Sequence, residues 1–155
     1  MDKQRRAVLG AGSGAALLVI LAAAGIVAPG TARAERNRAA FEAENMADTL
    51  QALGASAPTD TQDIRLTVPD VAEDGALVQV GLSSTLPAVS MVAILIEKNP
   101  NPLAATFTLP EGTEASVQTR FKMSQTSNVY ALVKSEGKFY VASKEIQVTI
   151  GGCGD

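Results

Sequence analysis

Apolar positions change their period once along this chain. Over residues 36–53 they recur every three or four residues, with Ala39, Ala43, Met46, Leu50 and Leu53 on one face, which predicts a single amphipathic helix. Glu35, Glu42 and Glu44 stand early in that run, where the helix dipole favours acids. Gly54 is placed to stop it in a left-handed cap. Ala55 to Thr61, with Pro58, reads as a small-residue linker. From Ile64 onward the period is two. Ile64, Leu66 and Val68 alternate with polar neighbours, as do Val78, Val80 and Leu82. Met91 to Ile96 is apolar throughout, which suits a strand covered on both faces. Phe107 and Leu109 point opposite to Thr106 and Thr108, and Val117, Thr119, Phe121 and Met123 alternate with Gln118, Arg120 and Lys122. Val129, Ala131 and Val133 share a face, Glu136-Gly137 is a hairpin turn, and Phe139 and Val141 follow it. Residues 144–150, with Ile146, Val148 and Ile150, predict a last strand whose apolar side chains anchor whatever comes after it. About seven short strands with frequent turn signals make the expected fold mainly β, an antiparallel sandwich with one N-terminal helix.

Ahead of the helix the chain carries an address. Arg5-Arg6 opens a run free of charge from Ala7 to Ala32, and Ala32-Arg33-Ala34 offers small residues to a signal peptidase. This is the layout of a twin-arginine secretory signal cleaved after Ala34. Gln4 occupies a position where serine or threonine is common. An uncleaved anchor competes on length alone, but Gly10, Gly12, Ser13 and Gly14 dilute the run and Pro29-Gly30 break it. The expected organisation is a signal over 1–34, helix and linker over 35–62, sandwich over 63–150 and a mobile arm over 151–155. The twin-arginine route exports folded proteins. A small chain with no cofactor site gains most from it by leaving together with a folded partner that has no signal of its own.

Composition narrows the chemistry. The chain has no histidine and no tryptophan. Without histidine, the usual base near neutral pH is absent, and one cysteine cannot supply a zinc site. Neither a catalytic site nor a metal or cofactor site is expected. Without residues 1–34 the chain loses Lys3, Arg5, Arg6 and Arg33 and the acid Asp2, which leaves nine basic against fifteen acidic residues, a formal charge of −6. That balance argues against nucleic-acid binding and suits partners with a basic face.

What chemistry remains lies at the end. Cys153, the only cysteine, is flanked by Gly151, Gly152 and Gly154. Three residues extend at most about 10 Å, so the thiol would ride a thin arm beyond the last strand. A prenylation box needs three residues after the cysteine and only two are present. A carboxyl-activated Gly-Gly terminus is excluded because Cys153-Gly154-Asp155 follows. An intermolecular disulfide and a reactive carrier thiol are left.

Several segments together resemble the SoxY family, the carrier of the periplasmic thiosulfate-oxidising (Sox) system. They are the twin-arginine leader, Pro69, Ala72-Glu73-Asp74-Gly75 with Val78, Glu97-Lys98-Asn99-Pro100 with Pro102-Leu103, Thr119-Arg120, Lys122-Met123, Thr126-Ser127 and Val148-Thr149-Ile150-Gly151-Gly152-Cys153-Gly154. The terminal Gly-Gly-Cys-Gly is the most specific of them. The resemblance implies an immunoglobulin-like sandwich and a heterodimer with a SoxZ-like subunit that lacks its own signal, hence a natural partner for co-export to the periplasm. It assigns covalent substrate attachment to Cys153 and a flexible arm to Gly151, Gly152 and Gly154. A SoxXA-type haem protein would join thiosulfate to the Cys153 sulfur, and a SoxB-type hydrolase would release sulfate. The chain would then be a carrier acted on by enzymes, with no membrane contact once its signal is removed. The alternative is an exported interaction module whose cysteine forms an interchain disulfide.

Asp155 stands where the family ends in glycine. Neighbouring anions disfavour a thiolate, so Asp155 either damps Cys153 until a partner activates it or is tolerated at a solvated end. For Asn99, Arg120 and the acidic turn at Glu73-Asp74, turn and sheet-surface roles are the expectation, with partner docking as the other.

Overall fold

Asn45 divides the predicted helix in two. The computed structural model describes residues 37–150, and in it helix α1 spans Arg38–Glu42 and helix α2 spans Met46–Ala52. Between them Ala43 is extended, and the Asn45 side chain accepts from the Asp48 amide at 2.9 Å. An asparagine that can cap a new helix competes with continuing the old one, and here capping wins over the three-to-four periodicity. Asn37 Nδ2 donates to the Ala52 carbonyl at 2.7 Å, tying the start of α1 to the end of α2. Gly54 has φ +74°, with its own amide on Gln51 O and the Ala55 amide on Leu50 O. This is the paired closure of a left-handed helix stop, as the sequence predicts.

Nine strands follow among the described residues, two of them only two residues long. They are β1 (Thr59–Asp60), β2 (Ile64–Thr67), β3 (Val71–Ala72), β4 (Val78–Ser84), β5 (Val89–Ile96), β6 (Leu103–Thr108), β7 (Ser116–Phe121), β8 (Ser127–Ser135) and β9 (Lys138–Val148). A larger sheet runs β1-β9-β8-β5-β6, with β3 also on β9, and a three-stranded sheet runs β2-β4-β7. Between the sheets lie Ile64, Val78, Val80 and Leu82 from one side and Val92, Ile94, Ile96, Val129, Ala131, Val133 and Ile146 from the other, all buried. On the outer face of the larger sheet, Ala93, Leu95, Leu103 and Leu132 bury against Ala40 and Ala55, with Phe41, Met46 and Leu50 at the edge. The unbroken apolar run in β5 thus has a reason. Its even positions face the sandwich core and Ala93 and Leu95 face the helices, and each larger side chain so covered contributes about 1.5–3 kcal/mol.

Two expectations need correction. The last strand begins at Lys138 and ends at Val148, absorbing both the Phe139–Val141 segment and the run placed at 144–150. Its length follows from the hairpin: Glu136 and Gly137 have φ +50° and +78°, a two-residue turn whose twist matches the flanking strands, and it pairs Ser135 with Lys138. Ile150 is not an apolar anchor, being 68% exposed. The sandwich also departs from all-antiparallel pairing, because β1 and β3 both run parallel to β9. The signal at 1–34, the start of the helix at Arg36, and Gly151, Gly152, Cys153, Gly154 and Asp155 lie outside the described residues.

Candidate functional site at the root of the tail

The end of β9 is held by backbone and hydroxyl groups drawn from three distant segments. The Val148 amide donates to Thr126 Oγ1 at 2.9 Å. The Thr149 amide donates to the Ala72 carbonyl at 3.1 Å, and Thr149 Oγ1 donates to the Glu73 carbonyl at 3.0 Å. The Gly75 amide donates to the Ile150 carbonyl at 2.8 Å. The carbonyl of Gly75 in turn accepts from the Met123 amide at 2.7 Å, and the Met123 side chain is fully buried. The loop is shaped by Asp74, whose carboxylate accepts from the Ala76 amide at 2.7 Å and caps the short 3-10 turn Gly75–Leu77.

A second ring stands behind the first. Asn99 Nδ2 donates to the Lys122 carbonyl at 2.8 Å, and Asn99 Oδ1 accepts from the Ser124 amide at 3.2 Å. The Lys98 amide donates to the buried hydroxyl of Ser127 at 3.0 Å, and Asn128 Nδ2 donates to Glu97 Oε2 at 2.9 Å. The turn at 97–101 therefore braces the 122–127 segment that carries Thr126. Asn99 is structural, as expected. Arg120 is exposed on β7 beside a shallow groove with Leu77, Gln79, Gln118 and Thr119. Glu73 and Asp74, which sequence reasoning left as a generic turn, are the loop that grips Thr149. Periodicity gave no sign of this, since the contacts are side chain to backbone across more than seventy residues.

The electrostatics of the root are acidic. Lys144 Nζ pairs with Asp70 Oδ1 at 2.7 Å on the surface, and this ammonium, by hydrogen bond and by charge, holds the Asp70 carboxyl below its ordinary range. Glu73 and Asp74 are exposed nearby in sequence. Val71, Leu77 and Ile150, at 49%, 65% and 68%, are the exposed large hydrophobic residues among those described, and all three belong to the segments that form the root. No group of three metal-ligating side chains occurs among the described residues.

The body is thus a two-sheet β-sandwich whose longest strand delivers the chain to a hydrogen-bonded exit, from which a cysteine-bearing tail continues. A family model described as sulfur oxidation protein SoxY matches residues 49–153, and the chain belongs to that family. The matched span ends on Cys153 itself. The structure is similar to that of the sulfur carrier protein SoxY from Chlorobium limicola f thiosulfatophilum, at 30% identity and a TM-score of 0.63, covering 70% of this chain and 96% of that one. A superoxide reductase (neelaredoxin) from Ignicoccus hospitalis is similar in fold alone, at 18% identity and a TM-score of 0.50, over 57% of this chain and 81% of that one. No curated protein matches the sequence.

Proposed function

We propose that this chain is a sulfur carrier that holds thiosulfate-derived intermediates on Cys153 and presents them to separate enzymes. The observation that carries the reading is the family match running through to Cys153, together with an exit that fixes where the tail leaves the body. Loading joins the Cys153 sulfur to the outer sulfur of thiosulfate. The thiol proton is released and an electron pair passes to a SoxXA-type haem protein. Hydrolysis by a SoxB-type enzyme then adds water to the terminal sulfonate sulfur and breaks its bond to the neighbouring sulfur. Sulfate and two protons leave, and a persulfide anion stays on Cys153. With the thiol tethered, the intermediate is kept at high effective concentration for each enzyme in turn. The chain itself is a carrier rather than an enzyme. A SoxZ-like subunit is its heterodimer partner, co-exported to the periplasm by the twin-arginine signal at 1–34. Gly151, Gly152 and Gly154 give the arm reach and remove bulk around the sulfur.

The test is the intact mass of the C-terminal peptide from cells fed thiosulfate. Adducts of one added sulfur atom and of a whole thiosulfate group on Cys153 are expected, and both vanish in Cys153→Ser. Free thiol and disulfide-linked dimer alone would overturn the carrier reading and establish the interaction module in its place.

A further inference from the structure

Thr149 lies beyond the last residue of β9 and is exposed, yet its amide and its hydroxyl are both bonded to the 72–73 carbonyls. The residue after it has an exposed side chain and a carbonyl held by Gly75. Burial therefore does not decide where the tail departs, and this hydrogen-bonded loop does. Strand pairing alone would release the chain after Val148.

We propose that Thr149, with Thr126 behind it, sets the length of the tether that carries Cys153. With the loop closed on Ile150, three residues separate the last held position from Cys153, a reach of about 10 Å. Released after Val148, the tether would be five residues and about 17 Å long. Released back to Ile146, whose side chain is fully buried, it would be seven residues and about 24 Å long. Thr149 and Thr126 are positioning residues. They touch neither sulfur nor substrate, and they act by fixing the point from which the thiol is swung. The value of this for delivery rests on the carrier reading above, because a tether of defined length suits clefts of defined depth. The clamp itself does not depend on that reading.

Pulsed electron resonance between a spin label on Cys153 and one on Lys138→Cys, at the exposed far end of β9, measures the tether directly. Thr149→Val keeps the shape and loses the donor. Its outer distance limit is expected to move out by up to about 7 Å, further when Thr126→Val is added, while Thr149→Ser stays with the parent. Thermal unfolding is followed alongside. A purely structural role would lower the unfolding midpoint of Thr149→Val and leave the distances of the folded protein in place, and that result would overturn the proposal. Should the valine variants not fold, hydrogen exchange on the unaltered protein decides. The Thr149 and Gly75 amides are expected to be protected like that of Val148, and exchange at the rate of open chain would overturn the clamp. Neither measurement requires sulfur on Cys153, so loss of the clamp and loss of the carrier function are read separately.

Discussion

Asn99→Ala tests whether the ring behind the exit is a brace or an ornament of the turn. The change removes the bonds to Lys122 O at 2.8 Å and from the Ser124 amide at 3.2 Å. Each such bond contributes about 0.5–1.5 kcal/mol net, and a fully buried orphan would cost more. This site is part-exposed, so water replaces some of what is lost and the sum is about 1–2 kcal/mol. For a domain near a hundred residues that lowers the unfolding midpoint by about 4–12 °C. Asn99→Asp keeps the acceptor for Ser124 and loses the donor to Lys122, so it should fall between. Circular dichroism melts of the three proteins at one pH give the comparison. A midpoint for Asn99→Ala within about 1 °C of the parent, below the smallest shift this bonding predicts, would refute the reasoning. A cycle with Thr126→Val adds a second check. If Asn99 works by holding the Thr126 segment, the two losses sum to more than the double variant shows.

Other outcomes follow from single features. Burial and the nearby Glu97 charge push the Tyr130 hydroxyl above its ordinary value of 10.0, against a hydrogen bond from Asn128 that lowers it. The folded state keeps this proton where the unfolded chain loses it, so the group stabilises the fold below pH 10.0 and that contribution disappears as pH rises through the folded value. In Tyr140→Phe, tyrosinate absorbance should titrate later in folded than in denatured protein, and coincident curves would contradict the assignment. Asp155→Gly removes an anion two positions from Cys153 and should speed iodoacetamide alkylation of the free protein; an equal or slower rate refutes the damping. Replacing Arg5 and Arg6 by lysine should strand both this chain and its signal-less partner in the cytoplasm, seen by cell fractionation, and continued export of the partner would exclude co-export.

The sequence revealed elements whose cause is local or repeated. The β5 run was legible because burial on two sides removes alternation, and the turn at Glu136-Gly137 because two positive φ angles ask for few residue types. The break at Asn45 was hidden by periodicity that continues across it, although asparagine followed three positions later by Asp48 is itself a capping signal. β1 and β3 were illegible since two residues carry no period. The exit is the instructive case. Ala72–Gly75, Lys122–Thr126 and Val148–Ile150 each stood out as family-like words without any hint that they touch. Their convergence is a property of topology, because β3 runs parallel to β9 and no local pattern announces a parallel pair.

The eleven-residue β9 also has a mechanical meaning. A tug on the thiol by a partner is directed along that strand, across hydrogen bonds that lie perpendicular to it. Such a load shears the ladder to β8 and the short parallel splice to β3 together, instead of unzipping them one bond at a time. The handle can be pulled without peeling the body it belongs to.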